Sequence, residues 1–229
     1  MTKQENPLII ALDLDSTEDA LRLIEEIGPV ANFYKVGMEL YAVGGMEFVA
    51  RVEGLGKKIF LDLKLYDIGE TVKRATRQIC RSGVVELLTV HGSRSVMEAA
   101  REGREDSGTK LLAVTVLTSF DQEDLADLGY QVPIPDLVEL RVRKALASGM
   151  DGIVCSPLEV ARVRGIGGGR LTLVIPGTRS PGANKGDQKR VATPEQALRD
   201  GADYLVIGRQ VTRAAEPRLA YEEILAEVA

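Results

Sequence analysis

The feature that most limits the fold is a repeated beat. Eight short apolar segments recur along the chain, and each is followed by a stretch with helical periodicity. Residues 8–13, 33–37, 58–63, 85–91, 111–117, 153–156, 171–175 and 204–207 read as strands. Their apolar residues run on without alternating, the pattern of strands covered on both faces, as in a parallel sheet. The helices between them are marked by their ends. Ser16 or Thr17 can cap the first, Glu18 and Asp19 suit its positive end, and Gly28-Pro29 stops it. The next helices are expected over about 45–52, 69–80 and 95–104. A short extra helix over 121–128 and a proline-containing connector precede a longer helix over 136–148, and another follows at 158–163. Thr193-Pro194 is a cap with proline at the first helical position, and a helix over 217–228 closes the chain.

Eight such units in 229 residues fit a single (β/α)8 TIM-barrel domain spanning 1–229, near the compact end of that fold's range. A doubly wound sheet is the competing layout. It wants a glycine-rich turn after the first strand, and Asp13-Leu14-Asp15-Ser16 is not one. No stretch has the composition of a linker. Trp is absent and aromatics make up 4%, so the core must be built from Leu, Val, Ile and Ala. A net charge of −5 argues against a general nucleic-acid binder. No apolar run reaches membrane-helix length and the first residues do not resemble a signal peptide, so a cytoplasmic protein without a membrane partner is expected. Cys80 and Cys155 lie far apart and read as reduced, buried thiols. His91 is the only histidine, which leaves almost no room for a histidine-based zinc site or a Ser-His-Asp triad.

In such a barrel the chemistry gathers at the C-terminal ends of the strands. Those ends carry, in order, Asp13, Lys35, Asp62 with Lys64, His91, Thr118, Ser156, Arg179 and Gly208-Arg209. The third is the densest, with Asp62-x-Lys64-x-x-Asp67 closing an apolar strand. Side chains at i and i+2 share a strand face, so Asp62 and Lys64 project together while Leu61, Leu63 and Leu65 face the other way. Taken alone, this motif is equally a salt-bridged strand end that stabilises a turn. Charges of both signs gathered on one rim favour a site, because incidental salt bridges would scatter along helices. The loops after the last two strands offer Gly177, Arg179, Gln188, Gly208 and Arg209. Glycine lets backbone N–H groups approach an oxyanion, and arginine adds a bidentate contact, so this is a candidate phosphate site. Residues 180–190 are polar, glycine-rich and aperiodic, and a mobile loop is expected there. His91 can titrate or hold a ligand, but a hydrogen-bonded structural role is the ordinary one, and Cys155 and Ser156 are read the same way.

These residues carry a resemblance. Asp62-x-Lys64-x-x-Asp67-Ile68-x-x-Thr71 resembles the signature of the orotidine 5′-phosphate decarboxylase family. Ala11-Leu12-Asp13, Lys35-Val36-Gly37, Pro176-Gly177-Thr178-Arg179, Gln188 and Gly208-Arg209 follow in that family's order at similar separations. The resemblance spans nearly the whole chain. It implies a homodimeric barrel, free of metal and cofactor, that converts orotidine 5′-monophosphate to uridine 5′-monophosphate in pyrimidine synthesis. It implies a tetrad of Lys35, Asp62, Lys64 and Asp67, with Lys64 the proton donor and Asp67 contributed across the dimer. It also implies that Asp13, Lys35, Asp62 and Ile68, with Thr71 of the partner subunit, surround the ribose and base, with Thr118 at the pyrimidine edge. Gln188, Gly208 and Arg209 would hold the phosphate, and Pro176 to Arg179 would open a loop that closes over the ligand. Magnesium-dependent sugar-phosphate lyases and decarboxylases share D-x-K-x-x-D, but place glutamate where this chain has Lys35. A carboxylate there suits a hard cation and an ammonium repels it, which favours the orotidylate reading.

Overall fold

The computed structural model describes residues 6–181 and 190–228. Its strands are β1 (Leu8–Ala11), β2 (Phe33–Gly37), β3 (Lys58–Leu65), β4 (Leu87–His91), β5 (Lys110–Val114), β6 (Gly152–Val154), β7 (Thr172–Pro176) and β8 (Tyr204–Ile207). All pair in parallel with their sequence neighbours. β8 returns to β1 with Leu8 opposite Leu205 and Ile10 opposite Ile207, which closes a (β/α)8 barrel. The helices are α1 (Thr17–Ile27), α2 (Met38–Gly54), α3 (Gly69–Arg81), α4 (Arg94–Arg104), α5 (Gln122–Asp127), α6 (Ile134–Ala147), α7 (Val160–Gly167), α8 (Pro194–Arg199), α9 (Arg209–Thr212) and α10 (Pro217–Val228).

Residue parity on each strand sorts the core into two layers. Ile9, Phe33, Phe60, Leu87, Leu112, Val174 and Tyr204 point inward and plug the barrel, with Phe33 set edge-on to Tyr204 at 5.4 Å. Their strand neighbours Leu8, Ile10, Tyr34, Ile59, Leu61, Leu88 and Leu173 point outward against the helices. Both layers are buried and mostly aliphatic, with Phe33, Tyr34, Phe60 and Tyr204 as the aromatic exceptions, the arrangement that non-alternating strands require.

The expected caps are in place: Ser16 accepts the Asp19 N–H and Thr193 accepts the Gln196 N–H. A reciprocal capping box between Asp121 and Asp124, not anticipated from the sequence, starts α5. Several expected boundaries differ. α2 starts at Met38 rather than near Gly45, because Gly45 is a left-handed kink (φ 52°) inside the helix and not its beginning. β1 ends at Ala11 and β5 at Val114, so Asp13 and Thr118 stand on the loops beyond their strands. A one-turn helix, α9, follows Gly208 where none was expected.

β3 and β4 contain the main irregularity. Leu61 opposes Leu88 but Leu65 opposes Val90, so four residues of β3 advance against two of β4. Within that bulge Lys64 takes φ 48°, a left-handed conformation that a non-glycine residue rarely adopts. Such a conformation costs about 1–3 kcal/mol and persists only where surrounding bonds enforce it.

Candidate active site

A cavity of about 570 Å³ opens at the C-terminal mouth of the barrel. Its floor is apolar, formed by Ala11, Val114, Val154 and Val206. Asp13, Lys35, Asp62, Lys64, Thr118, Pro176, Arg179, Gly208 and Arg209 line it, so most of the residues singled out in the sequence converge there. Asp67, Ile68 and Thr71 do not. The Asp67 carboxylate accepts its neighbour's Ile68 N–H at 2.6 Å, and the stretch around it is exposed. Gln188 and most of the expected mobile loop lie outside the described residues. A second cavity of about 400 Å³ lies at the opposite end of the barrel, where the Lys57 ammonium already donates to the Gly28 and Ala31 carbonyls at 2.8 Å each.

The centre of the mouth is a row of alternating charges. Lys35 Nζ donates to Asp13 Oδ1 at 2.9 Å and lies 3.8 Å from Asp62 Oδ2. Lys64 Nζ donates to the same Asp62 oxygen at 2.9 Å. Side-chain exposure runs from 11% at Lys35 and 13% at Asp62 to 32% at Lys64. The inner pair is therefore sheltered while the Lys64 amine reaches the cavity. Gly37 leaves room for this crossing, since a methyl group there would meet Lys35 Nζ at 3.2 Å. Burial works against the Asp62 carboxylate, but Lys35, Lys64 and the Thr89 hydroxyl outweigh it and hold its pKa below the ordinary value.

Sequence reasoning missed Thr89. Its hydroxyl is wholly buried, donates to Asp62 Oδ1 at 2.8 Å and accepts the Lys64 N–H at 2.9 Å. One side chain from β4 thus fixes both the carboxylate and the left-handed backbone of the lysine. A threonine inside an apolar strand gives no signal of this; only the β3–β4 register reveals it.

His91 does end its strand, but it lacks the expected hydrogen bond. Its Nδ1 is buried with no partner among the described residues, and its ring packs on Tyr66 at 4.2 Å between centroids. Burial, with the Arg141 guanidinium nearby, brings its pKa down to about 4. Ser156 and Cys155 are buried as expected, Ser156 capping the turn before α7, and burial pushes the Cys155 thiol up.

On the far side of the mouth, Gly177 (φ 83°) turns the chain sharply out of β7. The returning segment is tied back where the Arg179 N–H donates to Ala192 O at 2.9 Å. Gly208 then ends β8 and starts α9, bringing Arg209 to the same rim.

A closed parallel barrel whose ionisable groups crowd the C-terminal mouth defines a TIM-barrel enzyme. Residues 6–224 match the family described as "Orotidine 5'-phosphate decarboxylase / HUMPS family". The chain is 51% identical over 222 residues to an orotidine 5′-phosphate decarboxylase of Rhodopseudomonas palustris (strain BisB5), covering 97% of this chain and 94% of that protein. It is 49% identical over 225 residues to the one from Methylobacterium sp. (strain 4-46), covering 97% and 95%. The crystal structure of orotidine 5′-phosphate decarboxylase from Lactobacillus acidophilus superposes with a TM-score of 0.85 at 35% identity, covering 97% of this chain and 99% of that one. The chain belongs to the orotidine 5′-phosphate decarboxylase family.

Proposed function

We propose that this chain decarboxylates orotidine 5′-monophosphate to uridine 5′-monophosphate, with Lys64 as the proton donor. The observation that carries the reading is the Asp13–Lys35–Asp62–Lys64 row at the mouth of the cavity. When the bond from ring carbon 6 to the carboxylate breaks, carbon dioxide leaves and the electron pair stays on carbon 6. That pair lies in the ring plane and cannot delocalise as an enolate would. The stabilising charge must therefore be in place beforehand. The Lys64 ammonium, anchored on Asp62, supplies it and then transfers a proton from Nζ to carbon 6. The amine regains its proton from solvent.

Lys35 separates this reading from a magnesium-dependent sugar-phosphate reaction. An ammonium 2.9 Å from Asp13 and 3.8 Å from Asp62 neutralises the two carboxylates a hard cation would need. The remaining assignments rest on the resemblance to the family, and all of the residues concerned except Gln188, which lies outside the described residues, line the cavity. Asp13 and Lys35 face the ribose and Thr118 the pyrimidine edge. Pro176, Arg179, Gln188, Gly208 and Arg209 surround the phosphate.

Asp67, Ile68 and Thr71 are assigned to the neighbouring site of a homodimer. Asp67 is flanked by Tyr66 and Ile68, which are 69% and 73% exposed. Large apolar side chains beside an outward-facing acid suit a protein interface. In the dimer, the partner subunit's Asp67 completes the charge cluster around Lys64.

Loss of orotidylate absorbance on adding the enzyme tests the reading. Activity unchanged by a strong chelator is expected. No turnover, or turnover restored only by magnesium, would overturn it.

A further inference from the structure

Three consecutive carbonyl oxygens follow β5, and buried guanidinium groups take all three. Arg141 of α6 donates to the Thr115 carbonyl. Arg190 donates to Val116 O at 3.2 Å and to Leu117 O at 2.9 Å. The next residue is Thr118, in the cavity wall. Arg190 is only 8% exposed, although it belongs to a connection whose sequence reads as polar loop. Its other terminal nitrogen pairs with the buried Glu159 carboxylate, whose second oxygen accepts the Ser156 N–H at 2.9 Å. The Ser156 hydroxyl in turn donates to Arg190 O at 3.4 Å. Two residues further on, Ala192 accepts the Arg179 N–H. One side chain therefore ties the exits of β5 and β6 to the segment that holds the β7 rim.

A buried ion pair of this kind contributes little net stability against a well-packed apolar pair. Its distinctive property is geometric: one prong of a rigid fork, Nη2, donates to two successive carbonyls while the other, Nη1, is held by Glu159. Resting on the function proposed above, the ends so joined are the base end of the substrate, at Thr118, and the phosphate end, at Arg179. We propose that Arg190 is a positioning residue that fixes the Thr118 segment against the β7 rim, so that phosphate binding holds the pyrimidine in register with Lys64. Arg190 touches no reacting atom. It converts binding energy at a remote group into placement of the base.

The test compares orotidylate with orotidine, which lacks the phosphate. In the Arg190→Lys variant the charge opposite Glu159 is kept and the fork is lost. Its kcat/KM for orotidylate should fall at least about 30-fold, while that for orotidine falls less than about 3-fold. A Glu159→Met/Arg190→Met double variant leaves no unpaired buried charge and should show the same selective loss if the single variant does not fold. Equal losses on the two substrates, in either folded variant, would overturn the proposal and leave Arg190 a packing residue. Failure of the unaltered protein to consume orotidylate would instead overturn the reading of the site.

Discussion

Replacing Thr89 by valine should separate the catalytic geometry from the fold. The change removes one buried hydroxyl and keeps the side-chain branching. That hydroxyl donates to Asp62 Oδ1 at 2.8 Å and accepts the Lys64 N–H at 2.9 Å. A hydrogen bond to a charged acceptor contributes about 1.5–3 kcal/mol, and a buried N–H left unpaired costs about 1–3 kcal/mol. Lys64 also holds a left-handed backbone with φ 48°, and the bond from Thr89 helps oppose its relaxation. Lys35 and Lys64 remain beside Asp62, so part of the loss is recovered. A net destabilisation of about 2–4 kcal/mol follows from these ranges, readable in urea denaturation. The larger effect falls on turnover. A shift of the Lys64 amine by about 1 Å costs roughly 100-fold in rate, and the groups assigned to base and phosphate lie elsewhere. The expected result is a kcat lowered about 10- to 100-fold with KM changed less than about 3-fold. Thr89→Ser restores the hydroxyl and should recover most of the rate. Undiminished kcat in Thr89→Val, or equal damage in Thr89→Ser, would refute the reasoning.

Other expectations follow from the same site. Lys64→Ala should abolish decarboxylation while circular dichroism and melting behaviour stay native-like; appreciable residual turnover would remove Lys64 as the acid. Arg209→Ala should lower kcat/KM by about 10²-fold or more although it lies on the rim away from the reacting carbon; unchanged efficiency would refute the remote grip. Mixing inactive Asp67→Ala and Lys64→Ala subunits should restore activity at one site of each heterodimer; no recovery after verified subunit exchange would count against a shared site. His91 binds its proton only below about 4 in the fold but near 6.5 when unfolded, so its contribution to stability is complete above about 6.5 and is lost as pH falls toward 4. His91→Phe should flatten stability against pH in that window by up to about 1.4 kcal/mol per pH unit, and identical acid sensitivity of the two proteins in urea melts would contradict it.

Much of this architecture was legible because burial on both sheet faces writes itself as unbroken apolar runs. Ser16 and Thr193 were readable for a local reason: each cap bonds within three residues. What escaped depends on residues far apart in the chain. Thr89 meets Asp62 and Lys64 across a register shift that no single strand encodes. Arg190 reaches carbonyls more than seventy positions away and is buried inside a segment with loop composition. His91 was placed correctly at a strand end, but its partner is the Tyr66 ring and not a hydrogen-bond acceptor. Asp67 carries the acid of the motif yet sits outside its own chain's cavity, because three residues beyond Lys64 the backbone has already turned toward α3.

The order of charges in the mouth bears on where the catalytic power arises. Asp13, Lys35, Asp62 and Lys64 alternate in sign and together are neutral. At an effective dielectric of 20, a unit anion about 3 Å from Lys64 Nζ gains roughly 5–6 kcal/mol, and Asp62 about 6 Å away returns nearly 3 kcal/mol of repulsion. The substrate carboxylate therefore meets a weak net attraction, further reduced if the partner subunit's Asp67 stands nearby. Binding strength must come from the distant phosphate. Once carbon dioxide departs as a neutral molecule, the carboxylate's repulsion from the aspartates disappears. The Lys64 ammonium then faces a localised carbanion that attracts it more strongly than the delocalised carboxylate did. On the proposed assignment of Lys64 as the acid, the row favours the transition state over the ground state without a change in its own structure. It does so only while Asp62 stays ionised and Lys64 stays anchored, the two conditions that Thr89 and Lys35 enforce.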